Sequence, residues 1–331
     1  MRRHFIHAYE DIIFTENLLE AWREFLKGKR KRADVREFSR FLMYHISKLQ
    51  NSLSQRTYTH GGYEAFRISD PKPRDIHKAT VRDRLVHHAV YRQLYPLFDK
   101  TFIADSYSCR KEKGAHMAME RFRSFAYQVS KNNTRTCWVL KCDIRKFFAS
   151  IDHCILKDIL CTYVSDEDTL WLLGRIVDSF SAGKEGVGLP LGNLTSQLLV
   201  NVYMNEFDQF VKHKLKAKHY IRYADDFVFL SRDRGWLESL IPLIETFLSA
   251  RLKLELHPKK LSIGTLAAGV DFLGWVHFFD HRVLRTSSKK RILRRIKETG
   301  GRAEILQSYL ALLKDGNGYR LRKKVERLSQ V

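Results

Sequence analysis

Residues 220–230 read YIRYADDFVFL and place two adjacent aspartates, Asp225 and Asp226, between two apolar runs. Each run is rich in aromatic and β-branched residues, which predicts two buried strands joined by a tight turn at the acidic pair. Neighbouring carboxylates repel each other, and burying them is costly unless a cation compensates their charge. A hard divalent ion such as Mg²⁺ suits such oxygen ligands. The alternative is a solvated Asp-Asp turn without function, unless another carboxylate converges on the pair.

A third aspartate ends another predicted strand. Residues 138–143 read WVLKCD, an apolar strand closed by Asp143. If the two strands are sheet neighbours, Asp143 meets Asp225 and Asp226, and three carboxylates can hold two Mg²⁺ ions about 4 Å apart. Such a pair activates a 3′-hydroxyl and stabilises a leaving pyrophosphate, so the pattern indicates nucleotidyl transfer.

The chain is strongly basic. It has 331 residues with 59 Lys and Arg against 37 Asp and Glu, a formal net charge of +22. This excess predicts a polyanionic partner, with nucleic acid as the first candidate and an anionic membrane surface as the second. No apolar run approaches the roughly 20 residues that span a bilayer, and the N-terminus lacks a signal peptide's apolar core. The five cysteines lack paired zinc-ligand spacing, so we interpret them as reduced thiols of a cytoplasmic protein.

Basic residues are concentrated in three segments. Residues 27–32, KGKRKR, predict either a solvated loop or a phosphate contact. Residues 70–74, DPKPR, predict a hairpin tip, where Lys72 and Arg74 either reach phosphates or belong to a plain charged turn. Residues 281–331 are predicted to be helical and hold 15 Lys and Arg against 4 Asp and Glu, a net charge of +11.

From about residue 60 to its end, the chain resembles the reverse transcriptases. YADD alone is a weak signal, whereas eight motifs in the family's order are specific. The motifs are PKPR (71–74), RDRLVHHAV (82–90), SYSCRKEKGAH (106–116), KCDIRKFFASID (141–152), GLPLGNLTSQLLVNVYMNEFD (188–208), RYADDFVFL (222–230), LELHPKK (254–260) and FLGW (272–275).

The resemblance implies an α+β fold, a right-hand polymerase. Residues 1–59 would form a helical fingers extension, 60–138 the fingers, and 139–280 a palm with an antiparallel sheet and helices. Residues 281–331 would form a short basic helical thumb.

The resemblance also implies the site. Asp143, Asp225 and Asp226 would be catalytic and, together with Ile144, would bind two Mg²⁺ ions, with Mn²⁺ as an alternative. The implied nucleotide-binding residues are Lys72, Arg74, Phe148, Leu191, Gly192 and Lys260. The implied primer- and template-binding residues are Tyr223, Phe272, Leu273, Gly274, Lys323, Lys324 and Arg327.

Two of these positions carry specificity in the family pattern. Phe148 matches a steric gate that excludes a 2′-hydroxyl and so favours deoxynucleotides. Leu191 stands where most reverse transcriptases carry glutamine. LGNLTSQ (191–197) is most similar to the enzymes of diversity-generating retroelements, which copy a template RNA with frequent errors at adenines.

This subtype implies several partners: template RNA, the RNA/cDNA duplex, dNTPs and a small basic oligomeric accessory protein, with no membrane partner. Its origin would be bacterial, archaeal or phage-encoded. The alternatives are a retron-like or phage-defence reverse transcriptase, a catalytically inactive RNA-binding protein, and an RNA-dependent RNA polymerase. The aromatic ring at Phe148 argues against the last.

Overall fold

The computed structural model describes residues 9–69, 73–300 and 302–328, with only the backbone described at 327 and 328. The chain forms two compact units. The first comprises residues up to 104, 144–214 and 245–255, and the second comprises 105–143, 215–244 and 256 onward. The division into fingers, palm and thumb stays a prediction, because these units group residues by contact and not by role.

Helices and short antiparallel strands alternate along the described residues. Up to residue 143 they are α1 (Tyr9–Ile13), α2 (Thr15–Phe25), α3 (Ala33–Arg40), α4 (Leu42–Ser54), β1 (Tyr63–Ile68), β2 (Arg74–Ala79), α5 (Val81–Asp99), α6 (Ala115–Val129) and β3 (Trp138–Asp143). Then come α7 (His153–Cys161), α8 (Glu167–Val177), α9 (Leu194–His213), β4 (Tyr220–Tyr223), β5 (Asp226–Ser231) and α10 (Arg234–Leu252). The rest are β6 (Ser262–Thr265), β7 (Val270–Phe272), β8 (Trp275–His277), β9 (Arg282–Leu284), α11 (Thr286–Glu298), α12 (Ala303–Leu313) and α13 (Tyr319–Leu328). This mixture confirms the predicted α+β class.

The first unit is built around α2, α5 and α9. Apolar residues recur every three or four positions in α2, so the helix has one apolar face. Leu18 and Phe25 of α2 are fully buried, as are Leu85 and Leu94 of α5. The burial of these faces stabilises the unit by removing apolar surface from water.

A buried carboxylate ties the β1–β2 hairpin of this unit to the start of α5. Asp83 accepts hydrogen bonds from Tyr58 Oη (2.9 Å), Gly61 N (3.0 Å) and Thr80 Oγ1 (2.6 Å), and pairs with Arg82 at 2.9 Å. Thr80 in turn caps the helix by accepting from Asp83 N at 3.2 Å. Asp83 therefore fixes where the hairpin ends and where the helix begins.

The second unit contains a four-stranded antiparallel sheet in the order β4-β5-β3-β6. Strands β4 and β5 form a hairpin, and β3 joins its far side although it precedes the hairpin in sequence. Val139 of β3 and Val228 of β5 pack in one apolar cluster with Phe122 and Phe125 of α6. The sheet is thus covered by a helix on one face.

A smaller sheet and three helices complete the second unit. Strands β7, β8 and β9 pair in that order, and Leu273 and Gly274 form the two-residue turn between β7 and β8. Both turn residues have positive φ, 51° and 86°, as such hairpin turns require. Trp275 packs with Ile292, Ile296 and Val325 of the terminal helices.

Two sequence expectations can be compared with the described residues. No helix among them has the length and apolarity that a bilayer crossing needs. All five cysteines are free, in keeping with the predicted thiols.

We expect Asp83→Asn to lower the free energy of unfolding by about 1–3 kcal/mol, because a charged acceptor of several buried donors is lost. Burial alone would raise the pKa of Asp83, but the bonds from Thr80 and the charges of His60 and Arg82 hold it below 3.8. The stabilisation is therefore present above pH 3.8 and is lost as the pH falls through the lower, folded-state pKa. Urea unfolding at neutral and acid pH measures both effects. Exposed Asp75→Asn is the control, and equal losses in the two variants would contradict the assignment.

Candidate active site

The second unit brings the predicted carboxylates to one edge of its sheet. In the β3–β5 register Asp143 lies directly opposite Asp226. Tyr223 is the partner of Asp226 in the β4–β5 pair, so Ala224 and Asp225 form a two-residue turn beside them. The hypothesis that Asp143 and the Asp pair lie on neighbouring strands is thus met, whereas their catalytic role stays a prediction.

A buried arginine stabilises the turn that contains Asp225. Ala224 has φ 56°, a left-handed conformation that costs a non-glycine residue about 1–2 kcal/mol. Arg222, fully buried, donates from Nη1 to the carbonyl oxygen of Ala224 (3.2 Å) and from Nη2 to Ser106 Oγ (3.1 Å). Arg222 N also donates to the carbonyl oxygen of Asp105, and Tyr107 N to that of Arg222. The segment carrying SYSCRKEKGAH therefore supports the turn through backbone pairing.

Two lysines carry the positive charge at this edge. Lys260 Nζ lies 2.7 Å from Asp143 Oδ1. Lys141 Nζ lies 3.7 Å from Asp226 Oδ2 and donates to the carbonyl oxygen of Asp271 at 2.6 Å. The other oxygen of Asp226, Oδ1, is buried without a hydrogen-bond partner among the described residues.

The electrostatics of Asp226 follow from this arrangement. Burial raises its pKa to about 7; Lys141 opposes the shift, while Asp143 and Asp225 add to it. A buried carboxyl beside two others favours its neutral form unless a cation compensates the charge.

The described residues contain no group of three or more His, Cys, Asp or Glu side chains close enough together to hold a metal ion. Asp143 pairs with Lys260 and Asp226 pairs with Lys141. The two lysines offset the repulsion between the carboxylates. The donor chemistry still suits a hard cation, because the ligands would be carboxylate oxygens and Asp226 Oδ1 has an acceptor position unused. Ile144 directly follows Asp143 in the chain.

The predicted primer-binding turn lies in the same unit. Phe272 is fully buried against Phe122, with ring centroids 5.4 Å apart, so its side chain supports the turn. Leu273 and Gly274 are partly exposed, and Arg285 N donates to the carbonyl oxygen of Gly274 at 3.1 Å. Any contact to a primer therefore falls to the turn and not to the Phe272 ring.

Two predicted template-binding residues lie on α13. Lys323 and Lys324 are exposed, and Lys323 Nζ stands 4.7 Å from the ring centroid of Tyr319. The side chain of Arg327 lies outside the described residues.

The first unit carries four of the predicted nucleotide-binding residues: Arg74, Phe148, Leu191 and Gly192. The carbonyl oxygen of Phe148 accepts from Leu189 N at 2.8 Å. Its ring is partly exposed, whereas the ring of the neighbouring Phe147 is buried. Arg74 is exposed at the start of β2, and Lys72 lies outside the described residues.

The LGN segment lines up along β2. The carbonyl oxygen of Leu191 accepts from His77 N at 3.0 Å, and Asn193 Nδ2 donates to the carbonyl oxygen of His77 at 3.0 Å. Gly192 has φ 106°, and a Cβ there would come within 2.8 Å of Ile76 Cγ2. Only glycine therefore lets this loop approach the strand, and Leu191 keeps a partly exposed side chain.

Sequence reasoning missed the residues that support these positions. His87 Nδ1 and Thr195 Oγ1 lie 2.8 Å apart, and burial lowers the pKa of His87 to about 3, so the ring is neutral. Nothing in the sequence paired these two residues, which are 108 positions apart. Lys141 had a signal: it stands two residues before Asp143, and side chains two apart on a strand share a face.

A family model described as reverse transcriptase (RNA-dependent DNA polymerase) matches residues 69–277. Protein YkfC of Escherichia coli (strain K12) is 28% identical over 67% of this chain and 66% of its own length. Group II intron-encoded protein LtrA of Lactococcus lactis subsp. cremoris is 23% identical over 79% of this chain and 54% of its own. The chain therefore spans less than two thirds of both relatives.

A solved structure is similar in fold. The apo telomerase from Candida tropicalis, truncated from the C-terminal domain, has a TM-score of 0.51 at 12% identity. The match covers 69% of this chain and 55% of the telomerase chain. It supports a polymerase fold of this type.

We expect the metal-free chain to lose stability as the pH rises from 3.8 to about 7. In this window the folded state keeps the proton of Asp226 that the unfolded state has released, so raising the pH favours unfolding. Asp226→Asn should flatten this slope, as measured by urea unfolding in chelator across the window. Exposed Asp158→Asn is the control and should keep it. An unchanged slope in Asp226→Asn would show that Asp226 is not the titrating group.

Proposed function

Because this chain belongs to the reverse transcriptase (RNA-dependent DNA polymerase) family, we propose that it extends a primer on an RNA template with dNTPs. The observation that carries the proposal is the sheet register: Asp143 faces Asp226, with Asp225 in the adjoining turn. All three lie within the stretch that the family model matches.

Asp143, Asp225 and Asp226 are the residues proposed to hold Mg²⁺ or Mn²⁺, together with Ile144. Two such ions, when bound, supply activation of the primer 3′-hydroxyl and neutralisation of the leaving pyrophosphate. The carboxylates are kept in place by their strands and by the Arg222-supported turn, so little reorganisation is needed. This preorganisation is the main source of catalysis where charge, and not covalent chemistry, dominates.

The lysines have complementary roles in the proposal. Lys260, now 2.7 Å from Asp143, would exchange that carboxylate for the triphosphate of an incoming nucleotide. Lys141 is a positioning residue, because it joins Asp226 to the backbone at Asp271, two residues before the primer-binding turn. It thereby couples the carboxylate edge to the segment proposed to hold the primer.

The first unit would select the nucleotide. Arg74 offers a positive charge to the triphosphate, and the ring of Phe148 would block a 2′-hydroxyl. Leu191 and Gly192 follow the same segment, Leu189, that bonds to the backbone of Phe148. The residue that would exclude a 2′-hydroxyl and the loop that would contact the nucleotide are therefore joined by a backbone hydrogen bond.

We further propose the diversity-generating subtype, with a template RNA and a basic accessory protein as partners. The LGNLTSQ segment supports it, because Leu191 offers no hydrogen bond where glutamine would. Discrimination between bases rests on small differences, where about 1.4 kcal/mol is tenfold. In flanking DNA, two near-identical repeats that differ mainly at adenines would support the subtype.

We expect Asp225→Asn to abolish primer extension on RNA while the unfolding transition stays cooperative. Loss of one carboxylate would weaken the binding of the Mg²⁺ ions that the proposal assigns to neutralising charge at the reacting atoms. A gel-based extension assay measures the activity, with Asp158→Asn as the matched control. Extension at the wild-type rate by the folded variant would place the catalytic site elsewhere.

We expect Phe148→Val to lower the preference for dNTPs over NTPs by about tenfold or more, since a smaller side chain leaves room for a 2′-hydroxyl. Single-nucleotide incorporation gives kcat/KM for each substrate. Phe148→Tyr keeps the ring and should keep the preference. Equal selectivity in Phe148→Val and wild type would remove Phe148 from this role.

We expect Leu191→Gln to lower misincorporation several-fold, most visibly opposite template adenines. One net hydrogen bond, worth about 0.5–1.5 kcal/mol, would favour the correctly placed nucleotide. Sequencing of cDNA copied from a defined RNA measures the error spectrum, and Leu191→Met, similar in size and apolar, should match wild type. Identical spectra from active Leu191→Gln and wild type would contradict the role of Leu191 in fidelity.

A further inference from the structure

A cleft of about 340 Å³ opens in the second unit where β4 begins and β5 ends. The catalytic turn lies at the other ends of these strands. Asp226 and Ser231 are the first and last residues of β5, which separates them by about 17 Å at the usual rise per residue. The cleft is therefore distinct from the carboxylate edge, although the same two strands form both.

The cleft is lined by positive charge. Lys131, Lys216, Lys218 and Arg232 contribute to its walls, and no acidic side chain lines it among the described residues. Lys131, Lys216 and Arg232 form no ion pair with a described carboxylate. Three separate chain segments supply these residues, so the charge is gathered by the fold and not by one basic run.

A second cleft, in the first unit, shows the contrast. It too is lined by lysine and arginine, but two of its four cations have carboxylate partners within the cleft: Lys253 pairs with Asp152 at 2.7 Å and Arg145 with Glu255 at 3.4 Å. The cleft beside β4 and β5 lacks such partners for three of its four cations. The positive charge of this cleft can therefore attract an external anion.

The walls of this cleft are well ordered by internal bonds. Ser130 is fully buried, and its Oγ accepts from Asn133 N at 2.9 Å, which fixes the loop that carries Lys131. His219 packs its ring edge against Phe125, with centroids 5.0 Å apart. Binding therefore requires little ordering of the backbone, which favours affinity.

An aromatic side chain completes the cleft. Trp236 lines it with a partly exposed ring, and its backbone N donates to Asp233 Oδ1 at 3.0 Å in the first turn of α10. A positive groove beside an exposed aromatic ring is the usual arrangement for binding single-stranded nucleic acid, with phosphates on the cations and a base on the ring.

We propose that this cleft is a second RNA-binding site, which holds a single-stranded stretch by its phosphates with one base stacked on Trp236. The residues of the cleft by themselves indicate a phosphodiester ligand. The choice of RNA as that ligand rests on the proposed function. A strand held here is kept away from the carboxylate edge. The site thus retains template RNA without taking part in nucleotide addition.

The test uses the full chain with three substitutions, Lys131→Gln, Lys216→Gln and Arg232→Gln. Filter binding of an unstructured, primer-free RNA across a salt series gives the affinity and its salt slope. We expect weaker binding and a slope smaller by about 2, since single strands contribute about 0.7 per neutralised phosphate. A separate Trp236→Leu variant should bind about fivefold or more weakly with an unchanged slope, because stacking releases no counterions.

The matched control removes three exposed basic residues from helices of the first unit, as Arg40→Gln, Arg175→Gln and Arg251→Gln. It should keep the wild-type slope. The cleft variant should also extend a short primer–template at the wild-type rate. A cleft variant with the slope of the control would overturn the proposal, and so would a matching loss of extension on the short substrate.

Two further outcomes separate this proposal from its alternatives. If the cleft variant keeps RNA binding but loses binding to vesicles that contain phosphatidylserine, the cleft is a membrane contact and the proposal is wrong. If wild type binds RNA through the cleft but extends no primer, the RNA site stands and the proposed polymerase function fails.

Discussion

Carboxylate repulsion at the edge of the β4-β5-β3-β6 sheet is the constraint on which the arrangement of the second unit depends. Antiparallel pairing places Asp143 opposite Asp226, where burial raises the pKa of Asp226 and the charge of Asp143 adds to the rise. Lys260 and Lys141 offset that repulsion from either side. The edge thus stays folded while it keeps an acceptor, Asp226 Oδ1, that no described donor uses.

Positively charged side chains near these carboxylates also donate hydrogen bonds to backbone carbonyl oxygens of the second unit. Arg222 bonds to the carbonyl oxygen of Ala224, and Lys141 to that of Asp271. The first bond stabilises the turn formed by Ala224 and Asp225, and the second lies two residues before the turn formed by Leu273 and Gly274. Both bonds give a positively charged side chain a backbone acceptor. Since a buried charged group is tolerated only with such partners, the turns and the carboxylates depend on one another.

In the first unit, α5 carries an ionised aspartate in its first turn and a neutral histidine in the next. Asp83 is kept ionised by the hydrogen bond from Thr80 and by the charges of His60 and Arg82. Burial keeps His87, one turn later, neutral, and its Nδ1 lies 2.8 Å from Thr195 Oγ1. The helix therefore connects the base of the β1–β2 hairpin to the start of α9, which follows the loop that carries Leu191 and Gly192. This link explains why RDRLVHHAV and GLPLGNLTSQ, far apart in sequence, serve one group of loops.

Much of the architecture could be predicted from the sequence, because it depends on nearby residues. The apolar runs around Asp225 and Asp226 predicted a hairpin, and Gly274 is the residue type that positive φ favours in the turn between β7 and β8. The strand ending in Asp143 and the three terminal helices follow from local periodicity as well. The tertiary structure alone decided that β3 inserts between β5 and β6, that Lys260 meets Asp143 across 117 residues, and that Lys131, Lys216 and Arg232 line one cleft. Propensity and periodicity are properties of short segments, whereas these contacts depend on which distant segments become neighbours when the apolar faces are buried together.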